Sequence, residues 1–128
     1  MSWQDYITKQ LLSTNLVKDA LIAGADGAIW AQSKNLKSTK EELQPIIKGI
    51  KDGGGALTTS GVKFSGTKFI FLSGNAGKCI RAKKAKVGLH AAMTDKTVVV
   101  SLYEDPVQHG ECAAVVEKFC DFLKGKNY

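Results

Sequence analysis

The second half of the chain carries five short apolar runs at nearly regular spacing. Polar or glycine-containing turns such as Ser65-Gly66 and residues 94–96 separate them, and the runs span residues 62–64, 68–72, 78–82, 87–93 and 98–103. Short strands joined by tight turns favour an antiparallel meander, because each turn reverses the chain beside the strand it leaves. We therefore expect a central antiparallel sheet.

The first third of the chain predicts a helix followed by a hairpin. Ser2 and Asp5 form a helix-start pattern, and apolar side chains then recur at helical spacing over about residues 2–13. Apolar runs on either side of the turn at residues 24–27 predict the hairpin. Trp30 falls on its second strand.

Two further helices complete the pattern. Thr39 and Glu42 have the spacing of a capping box, and an apolar stripe follows them until three consecutive glycines. From residue 110 to about 124 apolar side chains again recur at helical spacing, and Gly125 is expected to end that helix. Helices at both ends and a central antiparallel sheet define an α+β fold, which we expect to be a single domain over residues 1–128.

The overall charge is basic, because 18 Lys and Arg outnumber 12 Asp and Glu. A basic surface favours an anionic partner, which leaves nucleic acid, phosphoinositide headgroups and an acidic protein surface open. The three cysteines have no paired spacing and predict reduced thiols rather than a disulfide framework. No basic-then-apolar signal pattern and no apolar run of roughly 20 residues is present, so we expect a cytoplasmic protein.

Patterns for catalysis are weak. Residues 74–79 look superficially like a phosphate-binding loop, but Leu72 and Cys79 stand where that loop needs glycine and a hydroxyl, so a hairpin turn is favoured. His90 and His109 have no motif partner and are expected to be solvated or to pack in the fold. Cys79 is either a thiol activated by nearby cations or a buried strand residue. We expect no enzyme activity, no metal and no cofactor.

Five cations fall within nine residues around one strand of the meander: Lys78, Arg81, Lys83, Lys84 and Lys86. Alternation along a strand puts Arg81 and Lys83 on one face. The cluster predicts a local site for phosphate or carboxylate groups, with a solvated turn as the alternative interpretation.

Aromatic side chains near the two ends of the chain suggest a second site. If the terminal helices pack side by side, Trp3 and Tyr6 can meet a set from the last helix and its end: Phe122, Leu123 and Tyr128. Such a groove can hold a proline-rich segment, whose preformed extended helix lies flat on rings and loses little entropy. The alternative is that the rings merely bury one another.

Taken together, these residues resemble the profilin family over essentially the whole chain. The matching segments, in order, are Met1-Ser2-Trp3-Gln4-x-Tyr6, Asp26-Gly27-x-x-Trp30-Ala31, Ile80-Arg81-x-Lys83-Lys84, Tyr103-Glu104-Asp105-Pro106-Val107 and Val115-Val116-Glu117-Lys118. Plant and amoeboid members look most similar. The resemblance implies a profilin-like fold, a central antiparallel sheet with the N- and C-terminal helices on one face and smaller helices on the other.

The resemblance also implies function. It implies a monomeric, cytoplasmic and cytoskeletal protein that binds monomeric actin, regulates actin polymerisation and nucleotide exchange, and binds proline-rich segments of assembly factors such as formins. The polyproline-binding residues would be Trp3, Tyr6, Trp30, Phe122, Leu123 and Tyr128, with Phe122 standing where relatives often carry Tyr or His. The actin-binding residues would be Lys68, Lys78, Arg81, Lys83, His90, Val107, Gly110, Ala113, Ala114 and Lys118.

Binding of phosphatidylinositol bisphosphate is a third implied property, and it would fall to Arg81, Lys83, Lys84 and Lys86. The alternative function is therefore a membrane-surface adaptor for this lipid with weakened actin binding. That alternative rests on positions that depart from residues found in relatives: Ser73, Ala82, Ala85 and Val87. Nucleic-acid binding is not expected, because the cations cluster on one turn without interleaved stacking aromatics.

Overall fold

A seven-stranded antiparallel sheet forms the centre of the computed structural model, which describes residues 2–128. Met1, the first residue of the opening motif, lies outside the described residues. The strands are β1 (Asp19–Gly24), β2 (Ile29–Gln32), β3 (Val62–Phe64), β4 (Thr67–Asn75), β5 (Cys79–Lys84), β6 (Val87–Met93) and β7 (Thr97–Glu104). They are arranged in the order β2-β1-β7-β6-β5-β4-β3, so the predicted hairpin and the predicted meander join through the β1–β7 pair.

The helices lie before, within and after these strands. An N-terminal helical segment consists of α1 (Trp3–Asp5), a π-helical stretch (Tyr6–Leu11) and a 3₁₀ turn (Leu12–Thr14), and the remaining helices are α2 (Lys40–Asp52), α3 (Leu57–Ser60) and α4 (His109–Gly125). None of the helices in residues 2–128 is long and apolar enough to cross a membrane.

The sheet separates two hydrophobic cores. On one face Ile46 of α2 packs into the first core, and on the other face Ile7 of the N-terminal segment and Val116 of α4 pack into the second. Val99 and Val100 of β7 point into different cores, as the alternation of a strand requires. The expected profilin-like fold is confirmed, since the terminal helices share one face and the smaller helices cover the other.

Coverage of the sheet decreases from β7 towards β4. Residues 97–103 of β7 are all buried, whereas most residues of β4 are exposed. On β4, Ile70 is 71% exposed and Leu72 is 47% exposed. The α4 face of the sheet is therefore open to solvent at this end.

The N-terminal helical segment begins as predicted and ends one residue later. The Ser2 hydroxyl accepts the backbone N–H of Asp5 at 3.1 Å, and the Asp5 carboxylate accepts the backbone N–H of Ser2 at 3.2 Å. This reciprocal capping box satisfies two N–H groups that the helix start leaves free. Helical structure runs to Thr14, where Asn15 turns the chain with a left-handed φ of 61°.

The predicted capping box of α2 is only half formed. The Thr39 hydroxyl accepts the backbone N–H of Glu42 at 3.3 Å. The Glu42 carboxylate does not return to Thr39 but accepts the backbone N–H groups of Ser65 and Gly66 in the β3–β4 turn. Glu42 therefore links α2 to the sheet. The β3–β4 turn offers its carboxylate two backbone N–H donors, whereas the capping box would offer only the one N–H of Thr39.

The structure differs from the predicted helices in two further places. Helix α3 was not predicted, because it is short, has no side-chain cap, and buries only Leu57. Gly125 was expected to lie just beyond the end of α4, but it is the last residue within the helix. The residue with a left-handed conformation is Asn127, with a φ of 69°. The backbone N–H groups of Lys126 and Asn127 continue the hydrogen bonding beyond the helix.

Candidate functional sites: an aromatic groove and a basic sheet face

The six residues predicted to form an aromatic groove come together at one end of the molecule. The ring centroids of Trp3 and Trp30 lie 4.7 Å apart, and Tyr128 lies 5.0 Å from Trp3 and 5.9 Å from Trp30. Tyr6 lies 5.4 Å from Trp3 and 5.6 Å from Phe122. The N-terminal segment, β2 and the end of α4 thus each contribute rings to one cluster, which we call the aromatic groove.

Local sequence explains how Trp30 reaches the groove. A Cβ atom at Gly24 would come within 3.1 Å of the Trp30 ring, so the glycine in β1 leaves the space that the indole occupies. Trp30 itself stands on the neighbouring strand β2 and is half-buried. A side chain at position 24 would crowd the Trp30 ring and the Asp26 carboxylate, so these neighbours would have to shift.

The end of the chain is held in place by two backbone contacts. The Tyr128 N–H donates to the Leu123 carbonyl at 2.9 Å, and the Thr94 hydroxyl donates to the Tyr128 carbonyl at 2.8 Å. Terminal segments usually fray unless they are tied down in this way. The Tyr128 ring is therefore fixed against the two tryptophans although its side chain is 42% exposed.

The groove keeps solvent-accessible ring surface. Trp3, Tyr6 and Trp30 are half-buried, Phe122 is 37% exposed, and Trp3 meets Tyr6 and Tyr128 edge to face. A hollow of about 230 Å³ lies between Trp3, Tyr6, Leu123, Lys126 and Tyr128. Both sequence interpretations hold in part, because the rings pack on one another and still leave a surface on which a ligand can stack.

Individual members of the groove have different roles. Leu123 is 1% exposed and supports the groove from below rather than forming its surface. Two further members of the groove were not predicted. They are Lys126, whose amine lies 5.7 Å from the centroid of the Phe122 ring, and Phe119, whose ring centroid lies 5.9 Å from that of Tyr6. The spacings from Phe122 to Phe119 and to Lys126 place all three on one helix side, which is the signal that could have identified them.

The second candidate site is the open end of the sheet. Ile70 of β4 lies opposite Lys83 of β5, and Lys68 lies on the same face of β4 as Ile70. Arg81 shares the face of Lys83 as predicted and is half-buried. Ile70 and Leu72 were not predicted as site residues, because an apolar strand residue is expected to be buried. We call Lys68, Ile70, Leu72, Arg81 and Lys83 the basic sheet face.

The start of α4 lies beside this face. Gly110, Ala114 and Lys118 are exposed and Val107 is half-buried, whereas Ala113 is 8% exposed. His90 is 1% exposed, so its side chain lies beneath the surface and is not available for direct contact with a partner. The strand alternation brings His90 to this side of the sheet, but α4 covers it there.

His90 and His109 form a pair that was not predicted from the sequence. Nδ1 of His90 lies 3.2 Å from Nε2 of His109, the first residue of α4. Burial, the His109 ring and the Arg81 guanidinium lower the pKa of His90 to about 4, and burial and Arg81 lower the pKa of His109. The two residues are far apart in sequence, and only the packing of α4 on β6 makes them partners.

The five clustered cations do not make one site. Lys78 precedes β5 and Lys84 ends it, and six strand steps separate them by about 20 Å. The exposed group at the β5–β6 turn is therefore limited to Lys83, Lys84 and Lys86. In residues 2–128 the one ion pair joins Lys18 to Glu104 at 2.5 Å, so none of these three lysines is in a salt bridge there, although the charge of Lys86 helps to lower the pKa of Glu104.

Cys79 does not have an activated thiol. Burial raises its pKa, the Glu117 carboxylate acts in the same direction, and the Lys78 amine opposes both. A thiolate is disfavoured when a cysteine is buried without a dominant cation. Of the two interpretations offered by the sequence, the partly buried strand residue is the one that the structure shows.

Comparison with known proteins agrees with this fold. The profilin family model matches residues 1–128. Profilin from Drosophila melanogaster is 49% identical and profilin from Bombyx mori 46% identical over 123 residues, and each match covers 96% of both chains. These insect proteins share more residues with the chain than Acanthamoeba profilin II does, although plant and amoeboid members were expected to be most similar.

The structural matches are also profilins. The crystal structure of Acanthamoeba castellanii profilin II has a TM-score of 0.90 and 30% identity, and the match covers 99% of this chain and 100% of that one. Mouse profilin IIa in complex with a double repeat from the FH1 domain of mDia1 has a TM-score of 0.81 and 17% identity over the whole of both chains, so it shares the fold. On the family match, the insect relatives and the shared fold, this chain belongs to the profilin family.

Proposed function

We propose that this chain binds proline-rich segments of actin-assembly factors through the aromatic groove. We propose further that it binds monomeric actin through the basic sheet face and the start of α4. In this function it regulates actin polymerisation and nucleotide exchange as a single cytoplasmic, cytoskeletal domain. It acts by preferring one conformation of actin, which is a shift of populations rather than catalysis.

The observation that carries the proposal is the convergence of Trp3, Trp30 and Tyr128 from three separate elements. Proline-rich segments adopt an extended helix without internal hydrogen bonds, and aromatic-lined grooves bind them with little loss of entropy. A hollow between partly exposed rings supplies that surface. The mouse relative in complex with an FH1 repeat supports the same class of ligand for this fold.

The actin proposal is supported by the composition of the sheet face. Exposed apolar residues, Ile70 and Leu72, lie among cations such as Lys68 and Lys83. An apolar centre with a charged rim is the usual anatomy of a protein interface, and opposite charge speeds association and selects the partner. Actin is acidic, so the sign of the rim fits it.

Intrinsic fluorescence tests the groove directly, because both tryptophans of the chain lie in it. Titration with poly-L-proline should change the emission of the wild type. Trp3→Ala should abolish binding, with Tyr6→Ala as a second groove variant if the first disturbs folding. Ile70→Ser, on the distant sheet face, is the matched control and should bind as the wild type does. Unchanged affinity in both groove variants would reject the assignment.

Actin assembly and nucleotide exchange test the sheet face. The wild type should slow pyrene-actin assembly and accelerate nucleotide exchange on monomeric actin. Ile70→Asp should weaken both effects, because it removes an apolar contact and places an anion against an acidic partner. Tyr6→Ala, with its change in the groove, should retain both effects. If the wild type leaves assembly and exchange unchanged, the actin proposal is wrong.

The unpaired lysines of the β5–β6 turn favour a second candidate function, binding of phosphatidylinositol bisphosphate at a membrane surface. Each surface cation near anionic lipid contributes about 1 kcal/mol, so a Lys83→Ser/Lys84→Ser variant should pellet less with vesicles that contain this lipid. A Lys48→Ser/Lys51→Ser variant removes the same charge from exposed positions of α2 and is the control. Equal pelleting of the two variants would count against a local lipid site.

A further inference from the structure

The two histidines of the chain connect the middle of the sheet to the start of α4. His90 stands in β6 and is 1% exposed, and His109 is the first residue of α4. Their facing nitrogens are 3.2 Å apart and their ring centroids 5.1 Å apart. A hydrogen bond between two imidazoles requires that one nitrogen carries a proton and the other does not.

The proton arrangement of the neutral pair follows from burial. Nε2 of His90 is buried and has no hydrogen-bond partner in residues 2–128. The pair is best satisfied when Nδ1–H of His90 donates to Nε2 of His109, because the orphaned Nε2 then carries no proton. In this form no buried N–H of His90 lacks an acceptor.

Protonation of either ring breaks this arrangement. A proton on His109 places a second N–H against the one that His90 donates. A proton on His90 leaves a buried N–H without an acceptor. A charge on His109 also lies at the N-terminus of α4, where the helix dipole disfavours a cation.

The groups that face the pair do not compensate a positive charge. From β5, Arg81 lies directly opposite His90, and its guanidinium acts against protonation of both rings. From β7, the Tyr103 ring lies 5.9 Å from His109, and Ser101 lies opposite His90.

The remaining titratable neighbours lie on α4. The Cys112 thiol lies 3.4 Å from the Ser101 hydroxyl, and burial raises its pKa, so it stays neutral. The Glu111 carboxylate accepts the backbone N–H of Gln108 in the cap of α4. In residues 2–128 no carboxylate is among the groups that shift the pKa of His90 or His109.

We propose that the His90–His109 contact is a proton-sensitive latch that holds the first turn of α4 on the sheet and releases it in acid. Val107, Gly110 and Ala114 flank the latch on the proposed actin-binding surface. Acidification would therefore weaken actin binding, and this extension rests on the proposed function. The latch itself is a property of the free protein.

Histidine resonances and amide exchange in the free protein test the latch. Both imidazoles should titrate below the ordinary histidine range, and amide protection in residues 112–115 should fall at least tenfold between pH 7 and pH 4.5. Amides in the first turn of α2, on the opposite face, are the internal control and should change less than threefold. Ordinary titration of both rings, or constant protection at the start of α4, would overturn the proposal.

Two substitutions at His109 separate charge from packing. His109→Gln keeps a hydrogen-bonding group that does not titrate, so its loss of protection in acid should be less than threefold. His109→Lys carries a fixed charge and should show at pH 7 the low protection that the wild type shows in acid. A tenfold loss in the Gln variant would contradict the latch, as would full protection in the Lys variant.

An actin-binding measurement at pH 7.5 on the two His109 variants separates the latch from the proposed function. His109→Lys, in which the fixed charge opens the latch, should bind actin at least threefold more weakly than His109→Gln does. A titrating latch without actin binding by the wild type would reject the proposed function alone. Equal affinity of the two variants would reject the coupling of the latch to that site.

Discussion

The indole rings of Trp3 and Trp30 lie 4.7 Å apart at an angle of 38°, so the N-terminal segment and β2 meet through the two tryptophans of the chain. The Tyr128 ring packs against the same pair, with its centroid 5.0 Å from that of Trp3. Each ring is held by the other two, and each keeps some exposed surface. The proposed ligand site is therefore formed by the folded chain and does not need the ligand to assemble it.

Replacing either tryptophan by phenylalanine should weaken poly-L-proline binding about two- to tenfold, because loss of one large ring contact is worth about 0.5–1.5 kcal/mol. Trp3→Phe and Trp30→Phe each leave one indole, and the emission of each should still respond to the ligand. A silent tryptophan in one variant would show that its ring lies outside the binding surface. Far-ultraviolet circular dichroism checks that both variants are folded.

Phe122→Tyr should strengthen poly-L-proline binding about two- to tenfold, because one added hydrogen bond is worth about 0.5–1.5 kcal/mol. The ring is exposed enough to present a hydroxyl to a ligand carbonyl. Phe119→Tyr is the control, since Phe119 is 4% exposed and a hydroxyl there would be buried. The control should lose stability without gaining affinity. Equal affinity of Phe122→Tyr and wild type would contradict the prediction.

Glu42→Ala should lower the free energy of unfolding by about 1–3 kcal/mol, because two backbone N–H groups of the β3–β4 turn lose a charged acceptor. Glu41→Ala, one residue earlier on the exposed side of α2, should change it by less than about 0.5 kcal/mol. Urea denaturation measures both. Similar values for the two variants would mean that the Glu42 contact contributes little in solution.

Gly88→Ala should destabilise the protein by about 1–3 kcal/mol, because overpacking forces side chains and backbone to shift. A Cβ atom at position 88 would lie 2.0 Å from the Tyr103 ring, which rests on the glycine across the β6–β7 pair. Gly125→Ala is the matched control, since nothing lies within 4 Å of a Cβ there, and it should be neutral or stabilising. Comparable loss in both variants would contradict the crowding.

Stability should fall as the pH is lowered from 6.5 towards 5. Burial, His109 and Arg81 hold the pKa of His90 at about 4 in the folded state, against 6.5 for the free side chain. The unfolded chain therefore binds the proton first, and the stabilisation is complete above pH 6.5 and is lost towards pH 4. Between pH 6.5 and 5 the loss should be about 2 kcal/mol. Urea midpoints that do not change across this range would contradict the burial of His90.

The sheet was predictable from sequence because its turns are local. Ser65-Gly66 and the polar pairs between the other runs mark where the chain reverses, and strand β6 has the predicted bounds of residues 87–93. The groove residues near the two ends of the chain were predictable from the spacing of their rings, whereas Trp30, which stands on β2, was assigned to the groove only through the resemblance to profilins. Helix α3 was not predictable, since a single buried leucine in four residues cannot show the helical periodicity of apolar side chains.

Contacts between distant elements could not be predicted where no sequence pattern links the partners. The Glu42 side chain follows the pattern of a local cap, yet its partners come from a turn more than twenty residues later. His90 and His109 have no shared motif, and their contact exists because α4 begins above β6. Ile70 looks like a core residue in its strand, and only the position of α4 on the sheet leaves it in solvent.

The uneven coverage of the sheet affects how quickly a partner can bind. The α4 face is covered over β7 and exposed over β4, so a partner can contact the exposed part without any movement of α4. Encounters there should be governed by diffusion and by the lysines around this surface, with rates that fall as ionic strength rises. Affinity would then be set mainly by the dissociation rate of the complex.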